Sequence, residues 1–374
     1  GGGGTKKGGG GGENKYKWHS HKEIVAHAMA SPHGHLEPVN GDGPPPLVTG
    51  MAGSPSPTVR VPTDSTVTAD NLPQWLTVIM STSPVISHPS TALIEETAAS
   101  ISYMPELTKC PKLIVCDGYK VKDKNKFRSG QITPERAEAY IEFKKRLRSL
   151  AEGGAAGGDA DSPASPVLGA RVLELVGRHG FGYAMREALY HVTTPYVIVV
   201  QHDRNFNRGV DVVTVVDAMR ANDAWLNYVG MPTSRTVKHA SYAASKYRIK
   251  VEPRVVEGYE VDGRPMGLVP LIQWYDSTHI ASTDYYCNFV FSAEVKRVSS
   301  GGFIEDMLGQ QQLKAIQTEG LVAHEPYGTF ILDTGGEVIV SHLDGHDARN
   351  SDRFLHVDKG KVEKVKLMEK SEMR

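Results

Sequence analysis

The sequence predicts an α/β protein: a mostly parallel, Rossmann-like sheet with helices on both faces, preceded by a disordered Gly/Pro-rich N-terminal tail. Three observations lead there. Short apolar, β-branched runs, "WLTVIM" (75–80), "KLIVC" (112–116), "RVLELV" (171–176) and "PYVIVV" (195–200), alternate with helical patterns; that alternation with short connections builds right-handed parallel crossovers. The fourth run passes straight into Gln201, His202 and Asp203, and open α/β sheets bind ligands just beyond the carboxyl ends of such strands. Finally, 374 residues suffice for one large α/β domain with a tail.

Taken in order, residues 1–70 carry glycine runs and "GDGPPPLVTGMAGSPSPTVRVPTDST", a composition with too little apolar surface to offset chain ordering. The histidines at 19, 21, 27, 33 and 35 lie in this tail, with no fold to fix a metal geometry. The domain is expected over 71–350, with a nucleotide-binding half (71–222), an acceptor or catalytic half (223–350) and a charged C-terminal extension (351–374). After the first strand, "STSPVISHPS" leads to a helix with Leu93, Ile94, Thr97, Ala98 and Ile101 at helical spacing behind Pro89. The second strand ends in Asp117-Gly118. A helix then starts at Thr133 (N-cap) and Pro134 and stops at Gly153-Gly154, and "GGAAGGDADSPASP" (153–166) is a surface loop. Helices over 182–192 and 210–221 flank the fourth strand. In the second half, "LNYVG" (226–230) and "CNFVFS" (287–292) read as strands. "SSGGFIEDMLGQQQLKAIQTEG" is a turn into a helix, and short strands at 329–332 and 337–341 precede "SHLDGHDARN".

Bulk properties exclude some functions. Charge is nearly balanced, 42 basic against 43 acidic residues, so no strong basic field argues for nucleic acid or an acidic membrane as partner. Cys110, Cys116 and Cys287 are too few and too irregular for a disulfide framework or zinc knuckle. No apolar run of about 18 residues predicts a transmembrane helix. The chain begins GGGGTKK without methionine, which leaves the compartment open between the cytoplasm and, with an upstream anchor, the Golgi or endomembranes.

The ends of the four parallel strands, Ser81-Thr82-Ser83, Asp117, His179-Gly180 and Gln201-His202-Asp203, are expected along one sheet edge, where they converge on one ligand. Their order, with "HGFGYAMREAL" (179–189) and the later Gly-rich turn into Glu305-Asp306, resembles the inverting glycosyltransferases of the GT-A fold, the family-2 type, over roughly 75–346. In that family a strand-end acidic motif, usually Asp-x-Asp, holds a divalent cation against the nucleotide diphosphate. Here Asp203 matches its last position and Gln201 replaces its first. Gly182, Ala184 and Arg186 match part of a Gly-x-Ala-x-Arg-Asn pattern, with Glu187 in the asparagine position. Glu305-Asp306 matches the motif that supplies the base.

The resemblance implies transfer of a sugar from a UDP- or GDP-sugar to the hydroxyl of a carbohydrate or other acceptor, assisted by Mn2+ or Mg2+. Fixed positive charge or a cation must meet the developing diphosphate charge, which suits Asp203 as metal ligand and Arg186 on the phosphates. Ser81, Thr82, Ser83, Asp117, His179, Gly182 and Gln201 are the remaining donor-side residues. Asp306 is the expected general base, with Glu305 the other candidate, and one carboxylate favours single displacement with inversion. A late histidine on the metal is His342 or His346. Trp274, Tyr275 and Asp276, within the aromatic stretch 272–289, suit acceptor recognition. Plainer readings stand beside these: a strand-end aspartate caps a helix, first-turn acids such as Glu305 and Asp306 favour a helix N-terminus, and 272–289 is a packed connection. Competing functions are a sugar-1-phosphate nucleotidyltransferase, disfavoured because "STSPVISHPS" lacks glycine, and a catalytically silent carbohydrate- or nucleotide-binding protein.

Overall fold

The structure, a computed structural model, describes residues 59–63, 66–153, 164–292 and 294–343. The tail histidines, most of the 153–166 loop, His346 and the C-terminal extension lie outside them.

The main sheet has nine strands: β1 (Leu76–Thr82), β2 (Lys112–Cys116), β3 (Arg171–Glu174), β4 (Tyr196–Gln201), β5 (Tyr228–Gly230), β6 (Arg254–Val261), β7 (Arg264–Pro270), β8 (His279–Ser282) and β9 (Thr329–Asp333). They lie in the order β3-β2-β1-β4-β8-β5-β9-β7-β6. The first four pair in parallel, as does β9 with β5, while β8 runs antiparallel to both β4 and β5, and β7 to both β6 and β9. The two sequence halves therefore share one continuous sheet. The helices are α1 (Ala92–Ser100), α2 (Pro134–Ala151), α3 (Gly180–Leu189), α4 (Val212–Ala221) and α5 (Gln310–Glu319). Among the described residues no helix is long and apolar enough to cross a membrane.

Alternation along each strand sends successive side chains to opposite faces, and both faces are covered. Ile198 and Val200 join a core with Tyr140, Phe143 and Leu147 of α2 and Val215, Val216 and Met219 of α4. Their neighbours Val197 and Val199 join the opposite core, with Ala184, Met185 and Ala188 of α3 and with Tyr286, Ile304 and Leu308. Central strands buried on both sides explain why the sequence shows continuous apolar runs rather than polar alternation. Thr133 and Pro134 begin α2 as expected.

Two expectations fail. "CNFVFS" is no strand: Tyr285–Val290 forms a wide helical turn, and Tyr285 stacks on Phe289 four residues on, at 4.9 Å, a helical contact. The strand of this region is instead β8. The hairpin β6–β7 was not anticipated, although Asp262-Gly263, both with positive φ (53° and 70°), is the sequence signature of a two-residue hairpin turn.

Ile198 is fully buried and pairs with Val78 and Ile280. Ile198→Ala is expected to cost about 2–5 kcal/mol through lost burial and the cavity left behind, read as a lower urea midpoint at unchanged slope.

Candidate functional site

The parallel register aligns the strand ends. Ser81 lies beside Gln201 and Thr82 beside Cys116, and Cys116 in turn lies beside Glu174. Backbone bonds continue past them: Asp117 N donates to Thr82 O and His202 N to Ser81 O (2.8 and 2.9 Å). Ser81 and Thr82 are buried and Ser83 half-buried.

Asp117 uses its carboxylate on the chain itself. Oδ1 accepts from the amides of Gly118 and His179, both at 2.8 Å, and Oδ2 from that of Gly180 at 2.9 Å. Burial pushes its pKa up, and the three amides only partly counter this. It thereby ties the start of α3, whose first amides have no partner within the helix, to the end of β2. Gly180 sits at φ +74°, and a Cβ there would stand 2.5 Å from the Gly301 carbonyl carbon, so only glycine fits. The same contact is stitched by Gly301 N to His179 O (2.6 Å), Gly182 N to Gly302 O (3.1 Å) and the Arg178 guanidinium to Gly301 O (2.7 Å). Loop 301–302, which leads into Glu305-Asp306, is thus fastened to the start of α3.

Asp203 is buried, and its Oδ2 accepts from His342 Nε2 at 3.0 Å. His342 reaches it because the short strands Arg204–Phe206 and Val340–His342 pair, with Leu343 N on Asp203 O at 2.7 Å. The other oxygen, Oδ1, is buried without a partner. Burial acts to raise the Asp203 pKa. The His342 bond and the charges of His202, His342 and Arg204 outweigh it and hold the carboxylate well below its ordinary range. An ionised, half-unsatisfied buried oxygen next to an imidazole fits a divalent cation that takes its remaining ligands from phosphate or water. Among the described residues no third acidic, histidine or cysteine side chain joins them.

Gln201 does not face a cation with its amide nitrogen; Nε2 donates to the backbone carbonyl of Asp276. Asp276 and Glu305 form a reciprocal bracket. Glu305 N donates to Asp276 Oδ2 (3.0 Å) and Asp276 N to Glu305 Oε2 (3.1 Å), while Trp274 Nε1 donates to Asp276 Oδ1 (2.7 Å). Burial and the charge of Glu305 push the Asp276 pKa to about 8 against these donors. Burial likewise raises Glu305, opposed by Arg204 and Arg235. Asp306 is exposed.

Several expected residues thus bond directly in two sets, Asp203 with His342, and Gln201 with Asp276 and Glu305, while Asp117, His179 and Gly182 join through the loop contacts. Others are engaged elsewhere. Trp274 is 1% exposed and packs with Tyr228 and His279, so its ring is core rather than an open platform. Asp276 is a buried helix cap. Of that trio only Tyr275 remains half-exposed. Arg186 is paired with Glu187 at 2.8 Å and lies over the Tyr183 ring at 4.1 Å. Arg178, Arg204 and Arg235 were not foreseen. Only their positions beside His179, Asp203 and the strand end at Gly230 pointed to them.

No family model matches the chain, and no curated protein matches it. Solved structures do. TarS from S. aureus is similar over 71% of this chain, at 13% identity and a TM-score of 0.36; the match spans 36% of TarS, so this chain corresponds to about a third of it. Glucosyl-3-phosphoglycerate synthase from Mycobacterium tuberculosis, in complex with Mn2+, UDP and glucosyl-3-phosphoglycerate, is similar over 77% of this chain and 80% of its own, at 13% identity and a TM-score of 0.35. CMP:2-keto-3-deoxy-manno-octonic acid synthetase complexed with CTP is similar over 69% of this chain and 88% of its own, at 10% identity and a TM-score of 0.32.

A carboxyl whose folded pKa lies above its unfolded value of 3.8 contributes stability at low pH that is lost as pH rises through the folded value. The unfolding free energy of the parent protein relative to Asp276→Asn should therefore fall between about pH 4 and about 8. Urea titrations at several pH values check this, and parallel pH profiles for the two proteins would refute the buried, protonatable Asp276.

Proposed function

We propose that the chain is a GT-A-type inverting glycosyltransferase that moves a sugar from a nucleotide-diphosphate donor to an acceptor hydroxyl. The observation that carries this reading is the Gln201–Asp276–Glu305 chain of bonds. It brings the Glu305-Asp306 helix start up to the strand end that bears Asp203. A leaving diphosphate and an attacking hydroxyl need opposed groups at two sides of one sugar, and this link supports placing both at one site.

On the donor side, Ser81–Ser83 and the His179–Gly180 turn line the nucleotide; Asp117 takes that turn's amides and keeps it rigid. Asp203 and His342 would hold the divalent cation. When bound, the cation supplies positive charge to the leaving diphosphate, and imidazole ligation favours Mn2+ over Mg2+. Arg186 reaches phosphate only by leaving Glu187, so its part is secondary. On the acceptor side, Glu305 is anchored by Asp276 N, which leaves the exposed carboxylate of Asp306 to take the hydroxyl proton as the oxygen attacks. With no second carboxylate assigned as nucleophile, the displacement is single and the anomeric centre inverts. Tyr275 is the aromatic group left to meet the acceptor. The glycine-free loop after β1 weighs against a nucleotidyltransferase.

The test is release of UDP or GDP from a panel of nucleotide sugars with Mn2+. Asp306→Asn should lower transfer by about 10²–10⁴-fold, the usual worth of a general base, with nucleoside diphosphate affinity within a few-fold. Lost affinity instead would move Asp306 to the donor side. Asp203→Ala should weaken Mn2+-dependent binding of the diphosphate by about tenfold or more; calorimetry giving an unchanged affinity removes Asp203 from the cation site. Binding without turnover across the panel would favour the silent module.

A further inference from the structure

The segment between β5 and β6 differs in charge from the rest of the molecule. Residues 231–251 hold Arg235, Lys238, Lys246, Arg248 and Lys250 and no acidic residue, in a chain whose 42 basic and 43 acidic residues nearly balance overall, so the rest is net acidic. The segment folds as three successive helical turns, Thr236–Lys238, His239–Tyr242 and Ala243–Tyr247. Its inner side is packed: Ala243 is fully buried with Val251, Ile272, Leu313 and Ile316, and His239 accepts from Ile272 N. All five cations are exposed on the outer side. Lys250 pairs with Glu252; Arg235, Lys238, Lys246 and Arg248 make no ion pair among the described residues.

Two further features argue against an idle solvated face. Lys246 is held in place: its Nζ donates to Tyr242 Oη at 2.6 Å and lies 5.0 and 5.1 Å from the centres of the Tyr242 and Tyr247 rings. A lysine fixed between an exposed tyrosine, Tyr242, and a half-buried one, Tyr247, has less conformational freedom to lose on binding an anion. The arm is also rooted at the site. Met231 N donates to Thr278 O, just past Asp276. Pro232 O accepts from Ile339 N and Val340 N, at the base of the strand that carries His342. Arg235 lies near enough for its charge to act on both Glu305 and Tyr242.

We propose that the arm Arg235–Lys250 is the acceptor-binding surface and that the acceptor is a polyanionic chain, a glycan or polyol bearing phosphate or carboxylate groups at intervals. This rests on the transferase reading. Such a chain lays its anions along Arg235, Lys238, Lys246 and Arg248 while one hydroxyl reaches Asp306. The aromatic faces of Tyr242 and Tyr247 supply contact for the sugar or polyol carbons between charges.

The full chain is titrated by fluorescence anisotropy with labelled polyphosphate, polygalacturonate, dextran and single-stranded DNA, at two salt concentrations. Binding to polyphosphate or polygalacturonate, weakened by salt and absent for dextran, is the expected result, and the tighter of the two identifies the anion. The variant Arg235→Ala/Lys238→Ala/Lys246→Ala/Arg248→Ala should lose about tenfold or more of that affinity, with UDP or GDP binding in Mn2+ unchanged. Because all four side chains are exposed, circular dichroism should report an intact fold. A second variant, Tyr242→Ala/Tyr247→Ala, should weaken polyanion binding while leaving the charge untouched. Equal binding to dextran, equal or tighter binding to DNA, or full affinity in the four-residue variant overturns the proposal. Failure to bind any nucleoside diphosphate while polyanion binding persists would instead overturn the transferase reading.

Discussion

The site depends on one interaction, the reciprocal bonding of Asp276 and Glu305. Two acidic residues are placed where each carboxylate caps the other's backbone amide, in surroundings that exclude water from Asp276. Such proximity is tolerable only if one of the pair keeps its proton or if nearby cations offset the charge. Both devices are present: Asp276 has a pKa near 8, and Arg204 and Arg235 act on Glu305. The bracket fixes the start of the helical segment that carries Asp306, and Gln201 ties the bracket to the central strand. A first-position aspartate in the strand-end motif would set a third acid against the Asp276 carbonyl. An amide donates there instead, so the departure from the usual acidic motif and the presence of the bracket share one physical cause.

A second fastening works from the opposite side. Asp117 gathers the amides that open α3, and α3 in turn receives loop 301–302 through backbone bonds that need Gly180. The Glu305-Asp306 segment is therefore held at both flanks, through Gly301 on one side and Asp276 on the other. Rigid support from secondary structure is what holds reacting groups at productive distances.

The parallel half of the fold was legible because doubly buried strands leave an unmistakable mark, a β-branched run cut off by a polar residue, as at Val200–Gln201. The strand-end residues were legible for the same reason, since parallel strands must end on one edge. The antiparallel half was not. Its strands, such as Tyr228–Gly230 and His279–Ser282, are short, and its aromatic residues pack locally at helical spacing, so "CNFVFS" imitates a strand. Gln201's bond and the Asp276 bracket were illegible because they join residues 75 and 29 positions apart; composition and spacing carry no trace of which carbonyl an amide will meet. Trp274 and Asp276 were read as ligand contacts because their types suit sugar binding, yet the same types suit a buried ring whose N–H needs a carboxylate partner, and burial decided between them.

Charge completes the account. A donor pocket built around a buried aspartate and two bracketed acids concentrates negative potential where a diphosphate must bind, which is unfavourable unless positive charge accompanies the ligand. Arg204 acts on both Asp203 and Glu305 and Arg235 on Glu305, and further cations continue along 235–250. Fixed cations are thus most numerous along 235–250, while at the buried aspartate Oδ1 has no partner. On the proposed reading the two sides would be neutralised differently: a cation brought in with the donor at Asp203, and fixed side chains at the acceptor. A near-zero net charge over the whole sequence conceals the local excess of cations in residues 231–251.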